Sequence, residues 1–284
     1  MTNSPWGNSM KAIINVISII IIVIVALVFA FKTHFLLGIA LVLLLIGFAA
    51  FRGRANYYAI RGTKLFSSNE FEQSLVWFKK AYESKPCPEA HQIGYGYILM
   101  RTGNAKQAEQ VFKQVLRTTK NKDNRIQAQC NLATSYWLQG RNEECLVLLE
   151  EVFEQYKNSL VYGNLGYFKL LNGDFESALA FNQEAYAYNG DDKTIVDNLA
   201  YNYYMLGQLE QAEEMFALLI PKSPKFADPH YFYALTLEKL GKLDEAAEQI
   251  QIAQSKDIAF ITPIIRAEID QAALRLNVSS EEVV

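Results

Sequence analysis

The side chains that could carry out catalysis or hold a metal ion are few and scattered along the chain. The three histidines, His34, His91 and His230, lie far apart, and the three cysteines form no C-x-x-C pair. The sequence contains no Walker loop, no G-x-S-x-G and no H-E-x-x-H. We therefore expect no enzyme activity, no metal site and no cofactor. A Ser-His-Asp site assembled by the fold stays open as an alternative.

The elements that carry the polar and aromatic residues form a pattern with a period of about 34 residues. A small residue, which opens a second helix, recurs at intervals of 34, 37, 33, 34 and 34, at Ser74, Ala108, Cys145, Ala178, Ala212 and Ala246. Another small residue lies twelve positions earlier in each case, and four positions later five of the six residues are large and apolar. The exception is Asn182. We expect the neighbouring Phe181 to fill the space that a large apolar side chain occupies in the other repeats.

Turn residues fall inside each repeat at matching places. They are Gly103, Gly140, Gly173, Gly207 and Gly241, with Ser68-Asn69 at that place in the first repeat. Glycine takes positive φ without steric cost, so each of these turns predicts a tight reversal between two helices. The longer interval of 37 predicts a loop at residues 118–125, TTKNKDNR, that absorbs the extra residues.

Residues 164–186, NLGYFKLLNGDFESALAFNQEAY, resemble one unit of the tetratricopeptide repeat (TPR), a helix pair of 34 residues. The resemblance implies an all-α chain with an α-solenoid of about six TPR helix pairs over residues 55–260. The units are expected at 55–88, 89–122, 126–158, 159–192, 193–226 and 227–260. Cys145 occupies a small-residue position of the pattern, which packing explains. Together with Cys87 and Cys130 it predicts reduced thiols in a cytosolic setting, with a reactive thiol as the alternative.

A capping helix is expected after the last unit, over residues 261–276. Thr262 would be its N-cap and Pro263 its first helical residue. Stacked repeats need such a cap to cover the last unit. Residues 277–284 are expected to be a disordered tail.

The chain begins with two apolar runs that predict a transmembrane hairpin. Residues 12–31 and 35–51 form the two spans, joined by an external turn at 32–34 and preceded by a short N-terminus at 1–11. Twenty helical residues extend about 30 Å, the thickness of a hydrocarbon core. A cleaved signal peptide and a buried helix pair are the alternatives. The first fits poorly because no small-x-small site precedes Lys32, and the second because the runs are apolar on every face.

Basic residues predict the orientation of this hairpin. Arg52, Arg54, Arg61 and Lys64 follow the second span, whereas the turn contains only Lys32. The positive-inside rule therefore predicts a multi-pass protein of the cell membrane, with the repeat domain and both termini in the cytoplasm. Neither span contains an acidic or basic residue, which gives no support to a transport role.

The charge of the repeat domain excludes several partners. Residues 1–52 contain no acidic residue and three basic ones, so the remaining chain has 24 of the 27 basic residues and all 30 acidic residues, a net charge of −6. Nucleic-acid binding needs a basic stripe, which is absent. The same charge argues against broad attachment to anionic lipid.

The TPR resemblance implies a concave groove lined by the first helix of each unit. Positions that face inward in the family predict a protein-binding groove at Tyr97, Arg101, Trp137, Tyr167, Asp197, Asn198, Tyr201, Tyr204 and Tyr231. This set is aromatic rather than basic, and the Lys and Asn clamp of chaperone-binding TPR domains is absent. Tyrosine suits mixed contacts with a peptide. The alternative is that these tyrosines only pack helix against helix.

Two classes of function follow. The first is a membrane-anchored scaffold that binds a segment of a partner protein in the groove. The second is a structural brace, or a homo-oligomeric subunit of a membrane complex, that uses its convex face. An enzyme or transporter with an unrecognised site is the remaining alternative.

Overall fold

A computed structural model describes residues 5–281, with the side chains of Met10 and of residues 14–276. Residues 1–4 of the expected N-terminus and residues 282–284 of the expected tail lie outside this range. Between residues 5 and 281 the chain forms α-helices and turns, without a strand. The helices are α1 Pro5–Thr33, α2 Phe35–Ser67, α3 Phe71–Glu83, α4 Glu89–Arg101, α5 Ala105–Thr118, α6 Lys122–Trp137, α7 Asn142–Gln155, α8 Ser159–Leu171, α9 Phe175–Tyr188, α10 Lys193–Met205, α11 Leu209–Leu219, α12 Asp228–Lys239, α13 Leu243–Ser255 and α14 Arg266–Glu281.

The chain divides into two compact units, one ending at His91 and the other beginning at Gln92. The first contains α1, α2, α3 and the first turn of α4. The second contains the rest of α4 and the helices from α5 to α14. The all-α class and the TPR-like arrangement of antiparallel helix pairs are confirmed.

In the first unit, α1 and α2 form a hairpin with a shorter turn than expected. Only His34 is non-helical, because α1 continues through Lys32 and Thr33. The Thr33 hydroxyl donates to the carbonyls of Phe29 and Ala30, both at 3.0 Å, which satisfies the hydroxyl within the last helical turn. The turn of residues 32–34 is therefore reduced to one residue.

Helix α2 runs without a break from the second apolar segment into the first repeat. Its C-terminal part packs against α3, where the Ser74 hydroxyl donates to the Gly62 carbonyl at 2.9 Å. A Cβ on Gly62 would lie 2.7 Å from the ring of Phe78. The small residue of the first helix therefore lets the aromatic residue of the second helix approach the backbone.

The turns between paired helices adopt the predicted conformation. The five turn glycines have φ between 71 and 88°, and Asn69 replaces them in the first repeat with φ of 61°. These values lie in the left-handed region, where glycine and asparagine are favoured. The prediction of reversals at these positions is confirmed.

Gly96 and Phe112 repeat the same close contact in the next pair. Phe112 is fully buried, and a Cβ on Gly96 would lie 2.5 Å from its Cε1 atom. We expect Gly96→Ala to lower the free energy of unfolding by about 1–3 kcal/mol, because a buried ring cannot move aside freely. Gly53→Ala is the control, since its Cβ would meet no atom within 4 Å. Thermal unfolding in mild detergent should separate the two variants, and equal transition temperatures would contradict the assignment.

The prediction for Asn182 is wrong. Phe181 does not fill the position, because its ring packs 5.1 Å from that of Phe153 and 5.6 Å from that of Tyr162. Asn182 is itself buried and donates to the Asn202 side-chain oxygen at 3.0 Å. A polar pair between α9 and α10 therefore replaces the large apolar residue of the other repeats.

The extra residues of the 37-residue interval lie mostly in helices rather than in a loop. Helix α5 continues to Thr118 and α6 already begins at Lys122, so most of the expected loop at 118–125 is helical. The Asn121 side chain accepts the Asn124 backbone N–H at 2.9 Å, which caps α6 at this earlier point. The loop prediction is wrong because it overlooked this cap.

The last helix, α14, begins five residues later and ends later than the 261–276 range. Thr262 is not the N-cap, because the helix begins only at Arg266; the Thr262 hydroxyl accepts the Ile264 backbone N–H at 3.2 Å and donates to the Asp228 carboxylate. Glu268 instead accepts the Ile265 backbone N–H at 2.8 Å and fixes the helix start there. No glycine or proline follows Leu276, so the helix continues to Glu281 through part of the expected tail.

Candidate protein-binding site

Residues 256–265, which connect α13 to α14, lie as a non-helical segment against first helices of several repeats. We call these residues the 256–265 segment. The Tyr167 hydroxyl of α8 donates to the Ile261 carbonyl at 2.7 Å, across 94 positions of sequence. The pKa of Tyr167 is raised, chiefly by burial. First helices of the repeats therefore already hold a non-helical segment, in part through its backbone.

The aromatic residue of this segment, Phe260, contacts α4. Its ring lies 6.4 Å from that of Tyr97 in an edge-to-face arrangement. The Arg101 guanidinium stands 4.8 Å from the centroid of the same ring. Such aromatic and cation–π contacts contribute roughly 0.5–1.5 kcal/mol each. Tyr97, Arg101 and Tyr167, three of the predicted groove residues, thus meet the same segment.

Asp228, in the first turn of α12, forms hydrogen bonds with the central residues of the 256–265 segment. Its Oδ2 accepts the Ala259 backbone N–H at 2.9 Å, and its Oδ1 accepts the Thr262 hydroxyl. The Ala227 backbone N–H donates to the Asp257 carbonyl at 2.9 Å. Asp228 is buried, so these bonds to a charged acceptor are strong ones.

Beside the segment lies an open cavity of about 340 Å³. Its walls come from α8, α10, the end of α11, the connection between α11 and α12, the start of α12, and Ala259 of the segment. Asp197 and Asp228 supply carboxyl groups, and Phe226, Pro224 and Pro229 supply apolar surface. Cavities of this size are in the range that binds small ligands or single side chains.

Asp197 is a predicted groove residue whose pKa is raised into the neutral range. Burial, with a smaller contribution from the nearby Asp228 charge, raises its pKa to about 7. Within the described residues its carboxyl group accepts no hydrogen bond and forms no ion pair with the protein. The side chain of the neighbouring Asn198 links α10 to α8, because its amide donates to the Gly163 carbonyl at 2.8 Å.

The remaining predicted residues do not join this site. Tyr201 and Tyr231 are buried in the core beneath α14, and the ring of Tyr201 lies 4.4 Å from that of Phe232. Tyr204 is half-buried against the same ring at 5.5 Å. Trp137 is half-buried against Phe168 at 5.1 Å. The structure therefore divides the nine residues into a segment-binding set, a cavity set and a packing set.

Sequence reasoning missed Asp228, Phe260 and Thr262. The signal that could have found them is the apolar composition of the 256–265 segment, KDIAFITPII, which is unusual for an exposed loop. Such a segment needs a surface to cover it. The expected boundaries instead divide it between the last repeat unit, which ends at residue 260, and the capping helix, which begins at residue 261.

The cysteines give no sign of a reactive site. Burial raises the pKa of Cys130 and Cys145 to about 12 and that of Cys87 to about 11. Thiols with such values are protonated at neutral pH and therefore poor nucleophiles. No group of three or more potential metal ligands occurs in the part of the chain that the structure describes.

Two family models match the chain. A model described as "Tetratricopeptide repeat" matches residues 169–231, and one described as "Tetratrico peptide repeat" matches residues 98–174. No curated protein sequence matches.

Solved structures share the fold at low sequence identity. A chain of the APC/C hetero-tetramer Cut9–Hcn1 aligns with TM-score 0.61 and 15% identity over 79% of this chain and 43% of that chain. A thermophilic TPR protein of Thermus thermophilus, TTC0263, aligns with TM-score 0.55 and 20% identity over 64% and 98% of the two chains. Pseudomonas aeruginosa pilF aligns with TM-score 0.53 and 17% identity over 72% and 93%. This chain spans less than half the length of the first of these structures.

Proposed function

Since the chain is a tetratricopeptide repeat protein, we propose that it is a membrane-anchored scaffold whose first-helix face binds an extended segment of a partner protein. The observation that carries this proposal is the 256–265 segment itself. It is a non-helical segment held at Tyr97, Arg101 and Tyr167 through a backbone carbonyl and an aromatic side chain. A partner segment of similar chemistry would exchange with it at these three residues.

The proposed anchor is the hairpin of α1 and α2. Residues Ile14–Thr33 and the helix Phe35–Ser67 are long and apolar enough to cross a membrane, judged by length and composition. Their large apolar side chains are mostly more than half exposed, as for Phe29 and Leu36, each 68% exposed. A core helix pair of a soluble protein would bury them. A cleaved signal sequence would account for α1 but leave α2 exposed.

A band of aromatic and basic residues follows the second apolar segment and supports a cytoplasmic repeat domain. The Arg54 guanidinium lies 3.8 Å from the ring centroid of Phe51, and that of Arg61 lies 5.4 Å from the ring centroid of Trp77. Aromatic rings with flanking basic residues are typical of the cytoplasmic membrane interface. Under this proposal both termini also face the cytoplasm.

The second candidate function is a brace or self-associating subunit that uses the convex face. Val147 of α7 and Leu218 of α11 are half exposed on second helices and would lie in such an interface. No described contact favours this function over the first, so the experiment below is designed to separate them.

Site-specific photo-crosslinking in native membranes tests the proposal. A photoreactive residue replaces Arg101 in one protein and Val147 in another, so that the two probes sit on a first and a second helix. A synthetic peptide with the sequence of residues 256–265 is added as competitor, alongside the same peptide with Phe260→Ala. We expect a partner crosslink from position 101 that the unaltered peptide suppresses more strongly than the altered one.

The outcomes separate the two functions. A crosslink to a second copy of the chain from position 147, unaffected by either peptide, would support the brace and contradict the scaffold. A crosslink from position 101 that neither peptide suppresses would show that the partner does not exchange with the 256–265 segment and would contradict the proposed binding mode.

A further inference from the structure

The cavity beside the 256–265 segment has the features of a receptor for one side chain. We propose that it receives a lysine or arginine side chain of the partner segment, with Asp197 as the carboxylate that binds the cationic end. This inference rests on the proposed scaffold function and names the chemistry of its partner. The proposed site carries negative charge, whereas the clamp with which chaperone-binding TPR domains hold a carboxylate is lined by positively charged lysine.

The walls of the cavity suit the stem of such a side chain. Leu219, Pro224 and Phe226 offer apolar surface, and the carboxyl groups of Asp197 and Asp228 lie in the same cavity. Lysine and arginine place an aliphatic stem against apolar surface and keep a charged end for a polar partner. The cavity of about 340 Å³ is large enough for one such side chain with room for water.

The Asp197 carboxyl group has no partner within the described chain. The residue is partly exposed and lines the cavity. Its carboxyl group accepts no hydrogen bond and forms no ion pair among the described residues. A carboxylate that lines a cavity without a protein partner is open to a charge-assisted hydrogen bond from a cation outside the chain.

The chain's own cations near the cavity are engaged elsewhere. The Lys193 ammonium, one helical turn from Asp197, donates to the Lys222 carbonyl. The Lys225 ammonium lies 5.3 Å from the ring centroid of Phe226. Neither approaches the Asp197 carboxyl group within ion-pair distance, so the position of the cation is open to a ligand.

The acidity of Asp197 supports a binding role over a structural one. Its folded pKa of about 7 lies above the usual aspartate value. A carboxyl group with a raised folded pKa takes up a proton on folding, so it lowers the stability of the fold as the pH rises from about 4 to about 7. A residue that destabilises the fold at neutral pH is a candidate for function.

The same acidity gives binding a pH dependence. The titratable groups that line the cavity with Asp197 are Tyr167 from α8, Asp228 from α12, Lys193 of its own helix and Lys225 of the connection between α11 and α12. Below about pH 7 Asp197 is protonated and cannot form an ion pair. Affinity for a cation should therefore increase between about pH 6 and about pH 8.

Fragment binding to the full chain in nanodiscs tests the proposal. The probes are N-acetyl-lysine amide, N-acetyl-arginine amide, the neutral N-acetyl-norleucine amide and free pentylamine, each titrated at about pH 6 and about pH 8. Asp197→Asn is the test variant, and Asp191→Asn, which alters a fully exposed carboxylate nearby, is its control. We expect a basic amide to bind at least about tenfold more tightly than the norleucine amide at the higher pH, and Asp197→Asn to abolish this preference.

Several results would overturn the proposal. They are equal affinity for the basic and neutral amides, a preference that persists in Asp197→Asn, and no binding by any amide. Tighter binding of pentylamine than of the lysine amide would assign the cavity to small amines. None of these results changes the crosslinking from position 101, so failure of this inference is distinguishable from failure of the scaffold function.

Discussion

Asp228→Ala should release the 256–265 segment from the repeats. The substitution removes the acceptor of the Ala259 backbone N–H and of the Thr262 hydroxyl. Hydrogen bonds to a charged group contribute about 1.5–3 kcal/mol each, so we expect the closed state of the segment to lose about 3–5 kcal/mol. Hydrogen–deuterium exchange of the amides between residues 257 and 262 should then accelerate by at least about a hundredfold, at roughly 1.4 kcal/mol for each factor of ten.

Asp244→Ala is the matched control for this experiment. Asp244 also occupies the first turn of a helix, α13, but its side chain is exposed and has no bond to the segment. Its loss removes only a favourable helix-dipole interaction of about 0.3–1 kcal/mol. Equal exchange of the segment in the two variants would show that Asp228 does not hold it.

The second large effect is expected at the last helix. Ile269 of α14 is fully buried in the core formed with α12 and α13, whereas Leu274 of the same helix is 70% exposed. We expect Ile269→Ala to lower the free energy of unfolding by about 2–5 kcal/mol, because it removes buried methyl groups and leaves a cavity.

Leu274→Ala should change stability by less than about 0.5 kcal/mol, as is usual for exposed positions. Thermal unfolding of the full chain in mild detergent measures both variants. Similar transition temperatures for the two would mean that α14 does not cover the last repeat as described.

The repeat architecture was predictable because its determinants are local. The residue types of turn residues such as Gly173 and Asn69 indicate their backbone conformation. Close contacts between helices, such as that of Gly96 with Phe112, recur at a fixed spacing. A periodic pattern supplies several independent observations of the same structure. The helix pairs and their order followed from it.

The site was only partly predictable, because its decisive contacts join residues far apart in sequence. Tyr97 and Phe260 lie at opposite ends of the repeat domain, and no local pattern relates them. Family spacing predicts that Tyr201 and Tyr231 face inward. It could not show that the core around Phe232 would bury them.

The errors at helix ends have a related cause. Thr262 followed by Pro263 has the composition of a helix start, but the helix begins only at Arg266. Asp228, which is distant in sequence, accepts the Thr262 hydroxyl and the Ala259 backbone N–H and so binds the connection outside the helix. No local pattern contains these contacts.

The unbroken course of α2 has a mechanical consequence. Its 33 residues form one rod of about 50 Å that contains both the second apolar segment and the first repeat helix. If the apolar part spans a bilayer, the rod acts as a lever: a change in its tilt, such as a change in membrane thickness would cause, swings α3 with it through the same angle. A flexible tether would dissipate that motion. Under the proposed membrane anchoring, the thickness of the bilayer and the orientation of the first repeat would therefore be coupled.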